Sequence, residues 1–115
     1  MNDRDRTVLE KIVKYCDEIN QTHVFFQNDK EKFYSDDGFV YRNSVTMPIL
    51  QIGELSKNLS DDFRKENATI PWKSIAGMRD VFAHHYGSID YELVWDTSQN
   101  DIKDLKTFCE SILNI

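Results

Sequence analysis

The sequence predicts an all-α protein: an antiparallel bundle of four or five helices forming one domain over residues 1–115. Three observations predict it. The chain holds only four Gly and two Pro, too few turn formers for the many short strands of a sandwich or barrel. With 40% hydrophobic and 12% aromatic residues, it has enough apolar material for one core. Its apolar residues recur every three or four positions, the period of helices with one buried stripe.

Residues 3–22 place Val8, Ile12, Cys16 and Ile19 on one stripe with Leu9 and Val13 alongside, and Asn2 or Asp3 can cap the start. Residues 23–37 mix Phe25, Phe26, Phe33 and Tyr34 with polar residues. This reads as a helix tail and a turn near residues 35–38, its aromatic rings covering the core. A second long helix is expected over residues 39–59, where Val45, Ile49, Ile52, Leu55 and Leu59 repeat. Pro48 lacks a backbone donor and crowds the carbonyl of Ser44, which predicts a kink or a break there.

Ser60 reads as the N-cap of a short helix over residues 61–67, with Asp61 and Asp62 in its first turn as the helix dipole prefers. Pro71 suits the first position of the next helix and Gly87 the residue past its end, framing residues 71–86 as one helix. Residues 88–90 then cap a final helical region reaching residue 114, with a bend expected near residues 97–100. Its apolar positions are Val94, Trp95, Ile102, Leu105, Phe108, Ile112 and Leu113. Trp72 and Trp95 read as core anchors.

Fourteen Lys and Arg against twenty Asp and Glu give a net charge of -6, which argues against a sequence-independent nucleic-acid coat. The excess is uneven. Residues 88–115 hold six acids and two bases, so -4 of the -6 lies there, and a local positive site remains open in the rest. The charged N-terminus offers no signal sequence and no run approaches the roughly 18 apolar residues of a membrane span. A cytoplasmic location with no membrane partner is expected. Cys16 and Cys109, without CxxC spacing, are expected to be buried free thiols.

The chemistry concentrates in Arg79, Asp80, Val81, Phe82, Ala83, His84, His85 and Tyr86. At about 100° per residue, Trp72, Ile75, Met78, Phe82 and Tyr86 share a core-facing side, with Arg79 at its edge and His84 about 140° from Arg79. Between Arg79 and His84 fall Ala76, Ala83 and Asp80, a shallow stripe over which long side chains can converge on a phosphate. Two alanines one heptad apart also permit a second copy to pack closely, bringing two Arg79 and two His84 into one cleft.

His84 titrates near neutral pH and suits proton transfer, while the guanidinium of Arg79 suits a phosphate whose charge grows in the transition state. Asp80 can fix the His84 tautomer. Glu54, a carboxylate within the apolar repeat of the second long helix, is a candidate partner of Arg79 or of a phosphate-bearing substrate, and equally an ordinary ion pair or solvated residue. His85 reads as structural and Lys73 as solvated. Adjacent histidines on a helix point about 100° apart, so a metal site from His84, His85 and Asp90 is disfavoured, and neither a metal nor another cofactor is expected.

Arg79, four residues, His84, one residue and Tyr86 resemble the R-x4-H-x-Y motif of HepT-type toxins, members of the HEPN ribonuclease superfamily. Ile52-Gly53-Glu54 resembles the family's I-G-E, Ile70-Pro71-Trp72 its I-P-W helix start, and Ile89-Asp90-Tyr91 with Trp95 the stretch after the motif. Pro48 departs from the family pattern. The resemblance implies a metal-independent endoribonuclease toxin that acts as a homodimer and cleaves RNA by 2'-OH attack. It further implies a partner, an MntA-type nucleotidyltransferase antitoxin, that silences the toxin by AMPylation of Tyr86. The rival expectation is a non-catalytic helical module that binds a nucleotidyltransferase and presents Tyr86 or a substrate to it.

Overall fold

In the computed structural model, residues 1–82 and 88–115 are described. Among them the chain forms eight helices: α1 (Asp3–Phe25), α2 (Lys30–Tyr34), α3 (Phe39–Ser56), α4 (Asp61–Glu66), α5 (Trp72–Ala76), α6 (Met78–Phe82), α7 (Tyr91–Gln99) and α8 (Asp101–Leu113). The all-α expectation holds. The number of segments exceeds four or five because the predicted long stretches are divided by short turns.

α1 begins where Asn2 accepts the backbone N–H of Asp5 at 2.7 Å, a side-chain cap for an otherwise orphaned donor. It ends at Phe25 rather than trailing into the aromatic segment, because Gln27 and Asn28 take left-handed backbone conformations. Asp29 then caps the separate helix α2, accepting from Glu31 and Lys32. The expected single tail is thus a turn and a helix of its own.

α3 runs unbroken through Pro48, correcting the expected break into two pieces. Val45, Thr46, Ile49 and Ile52 around the proline are at most 2% exposed. Packing on both sides of Pro48 therefore holds the helix where the local preference would interrupt it. Ser60 caps α4 as expected, accepting from the Phe63 N–H at 3.1 Å, and α7 passes to α8 through Asn100, within the expected bend.

The long helices are antiparallel neighbours. Asp5 near the start of α1 bonds Ser60 just beyond α3, whereas Phe26 beyond the end of α1 stacks on Tyr41 near the start of α3. α8 also runs against α1: Asn28 bonds Gln99 at the end of α7, and Lys106 farther along α8 pairs with Asp17 at 2.7 Å. Leu9, Ile12, Cys16 and Ile19 of α1, Val45, Ile49 and Ile52 of α3, and Cys109 of α8 are fully buried in the shared core. Both thiols are unbridged, as expected, and burial pushes each up to about 12.

Candidate functional site

The segment predicted as one helix over residues 71–86 is two helices in its described part. Trp72 begins α5 and places its ring 5.9 Å from both Phe63 and Phe108, while its indole N–H donates to the Asn67 carbonyl at 3.1 Å. Pro71 is the N-cap rather than the first helical residue. Gly77 separates α5 from α6, so the angular relation drawn along one continuous helix does not carry across it. Glycine adopts the joint at little steric cost but disfavours helix continuation.

A second glycine sets the depth of this arm. At Gly53 of α3, an added Cβ would stand 2.9 Å from the Ile75 carbonyl oxygen, so only a residue without a side chain lets the end of α5 approach α3 this closely. Met78 and Phe82 then turn inward, 8% and 2% exposed. With α6 clamped on that side, Arg79 and Asp80 are exposed on the other. The core-facing side drawn from the sequence is observed at Trp72, Met78 and Phe82.

Arg79 and Asp80 lie next to each other on α6. Glu54 lies on α3 with its side chain half exposed and pairs with Lys57 at 3.1 Å, a solvated pair one turn apart. His84 and Tyr86, together with Ala83, His85 and Gly87, lie outside the described residues, as does the expected stop of the helix. Asp90, considered as a metal ligand and set aside, caps α7 by accepting the Leu93 N–H at 3.1 Å. Among the described residues, no group of three or more His, Cys, Asp and Glu side chains is placed to hold a metal ion.

A buried polar chain that the sequence reasoning did not single out lies at the end of α1. His23 is 5% exposed, with Nδ1 2.6 Å from the Tyr41 hydroxyl and Nε2 2.8 Å from Ser98 Oγ. Ser98 donates its only hydroxyl proton to the Trp95 carbonyl, so it accepts from Nε2–H, and Nδ1 accepts from Tyr41. This order needs a neutral ring. Burial, aided by Lys103, lowers the His23 pKa to about 4, and burial raises the Tyr41 phenol to about 12. The signal was present in the sequence: His23 continues the stripe of Ile12, Cys16 and Ile19. Asp5 begins that stripe and is also buried, accepting from the Ser60 N–H at 2.8 Å and from its hydroxyl at 2.6 Å.

Among the described residues no helix is long and apolar enough to cross a membrane. No solved structure matches the chain. A protein of Caldanaerobacter subterraneus subsp. tengcongensis named "Putative RNase" is 33% identical over 112 residues, covering 94% of this chain and 93% of its own. Another so named, from Methanocaldococcus jannaschii, is 35% identical over 109 residues, covering 94% and 90%. The "Probable ribonuclease HepT" of Thermococcus cleftensis is 44% identical over 55 residues, covering 48% and 50%. The family model described as ribonuclease HepT-like matches residues 9–112, which takes in α3, the Arg79 arm and α7, and by that match the chain belongs to the ribonuclease HepT-like family.

Proposed function

We propose that this chain, a ribonuclease by family, is a toxin-type endoribonuclease that uses Arg79 and His84 as its catalytic pair in a cleft shared by two copies. The observation that carries the reading is the placement of Arg79: exposed on a helix whose other side is held in the core by Met78 and Phe82. A long cation without a packing role of its own, five residues before a histidine, suits a phosphate ligand better than a core contact.

RNA supplies its own nucleophile. His84 of one copy removes the 2'-OH proton, the oxygen attacks phosphorus, and Arg79 stabilises the charge that develops on the phosphorane. As the P–O5' bond breaks, His84 of the other copy returns a proton to the leaving oxygen. The products are a 2',3'-cyclic phosphate and a 5'-hydroxyl, and no step requires a metal. Asp80, four residues before His84, positions the imidazole. Tyr86 accepts AMP from ATP through an MntA-type nucleotidyltransferase, pyrophosphate leaving. The added phosphodiester and base then exclude RNA by charge and volume.

The purified protein is expected to cleave RNA in EDTA and to leave cyclic phosphate ends, and His84→Ala is expected to abolish cleavage without loss of helicity. Unchanged cleavage by that variant overturns the role. The net charge of -6 favours a second reading, a module that presents Tyr86 to the nucleotidyltransferase without cleaving RNA. A mass gain of one or more AMP groups on a protein that never had ribonuclease activity would select it.

A further inference from the structure

A groove bounded by α5, α6, α7 and α8 encloses about 460 Å³. Its floor includes Met78, Phe82 and Ile102, Val81 stands at its edge 54% exposed, and its rim carries the exposed carboxylates Asp101 and Asp104. Among the described residues, no Lys, Arg or His lines it. The volume lies within the range of sites that accept several large side chains or a small ligand.

We propose that this groove docks an amphipathic segment of another protein, its apolar side chains entering the groove and its lysines or arginines reaching Asp101 and Asp104. Charge complementarity decides the occupant. The two carboxylates sit one turn apart at the start of α8, in the part of the chain that carries -4 of the -6 net charge. An apolar floor beside fixed negative charge selects a partner that is apolar and basic together. RNA is repelled by the same carboxylates.

A second copy fits poorly. Among the described residues, the adjacent apolar pairs left exposed are Val24 with Phe25 and Phe39 with Val40. The second pair follows Asp36 and Asp37, and the nearby Arg42 is committed to the carbonyls of Phe33 and Ser35. The groove also faces away from Arg79 and Asp80. On α6, at about 100° per residue, Met78, Val81 and Phe82 span one arc, and Arg79 and Asp80 lie more than about 100° from its centre. An occupant therefore leaves Arg79 open, and the proposal stands whether or not the chain cleaves RNA.

The test uses the full chain and a synthetic amphipathic helical peptide of about 14 residues with Leu on one face and Lys on the other, beside a counterpart with Glu in place of Lys. The Lys peptide is expected to bind, and the Glu peptide not. The double variant Asp101→Asn with Asp104→Asn should weaken binding at least about tenfold, as should Val81→Asp, with circular dichroism unchanged. Reversing Glu10 and Glu18, exposed on α1, should change it less than about twofold. Equal binding of the Glu peptide, or equal weakening by the α1 reversals, overturns the proposal. So does displacement of the peptide by single-stranded RNA. A dimer that Val81→Asp converts to monomer would assign the groove to a second copy and overturn it as well.

Discussion

The His23 end of the bundle and the α5–α6 arm are built on opposite plans. Around His23, each polar group in the chain from Tyr41 through Ser98 to the Trp95 carbonyl has its partner. Phe26 stacks on Tyr41 with centroids 4.3 Å apart, and Phe33 meets Trp95 at 5.1 Å. The arm consists of two five-residue helices, held by Trp72, Gly53, Met78 and Phe82, with Arg79 and Asp80 left in solvent. The first region spends its polar side chains on holding helices together. The second holds itself by apolar contacts and leaves its charged side chains available for a ligand.

The largest expected effect sharpens that division. Arg79→Ala should lower the rate of RNA cleavage by about 10²- to 10³-fold, the usual loss for one group that stabilises developing charge. The unfolding free energy from urea titration should move by no more than about 0.5 kcal/mol. A large loss of stability instead would make Arg79 part of the scaffold and break the comparison.

His23→Ala should do the reverse. It leaves a cavity and unpairs Tyr41 and Ser98, costing about 3 kcal/mol in urea unfolding, while cleavage per folded molecule stays near wild type. The same residue sets a pH dependence. Its folded pKa of about 4 lies below the ordinary value near 6.5, so the unfolded chain binds the proton first as pH falls. Stability is fully present above about pH 6.5 and is lost between there and about pH 4, by up to about 3 kcal/mol. Urea titrations at several pH values check this, and in His23→Gln that loss between about pH 6.5 and pH 4 should be absent.

Gly53→Ala is expected to cost about 1 to 2 kcal/mol, since its Cβ and the Ile75 carbonyl cannot both keep their places. Because the displaced α5 leads through Gly77 into α6, which carries Arg79, cleavage should fall too, which distinguishes this site from His23. The smallest effect is expected at Glu54→Gln, within about 0.5 kcal/mol, because the pair with Lys57 is half exposed. A larger change would return Glu54 to the role of partner to the arm.

Much of this was legible from residue spacing. The stripe of α1 follows from positions 8, 12, 16 and 19, and the cap at Ser60 from residue type alone, because both are local properties of the chain; for α1 residue type left Asn2 and Asp3 open, and the structure selects Asn2. The polar ends of that stripe, Asp5 and His23, were equally in register. They were passed over because a charged or titratable residue at a helix end is ordinarily solvated, and only the partners Ser60, Tyr41 and Ser98, from 18 to 75 positions away, bury them. Pro48 shows the opposite error, where a strong local signal for interruption is overruled by packing around Val45, Ile49 and Ile52.

By itself, the order of residues determined the all-α class, the inward set at Trp72, Met78 and Phe82, and the grouping of Arg79, Asp80, His84 and Tyr86 in one short segment. These depend on neighbours within a few positions, where chain geometry leaves little choice. Tertiary structure decided that α3 passes through its proline, that Ile75 of α5 comes close to Gly53 of α3, and that His23 is neutral. Each of these is settled by groups distant in sequence or by competition between local preference and burial, and only the folded chain brings those terms together.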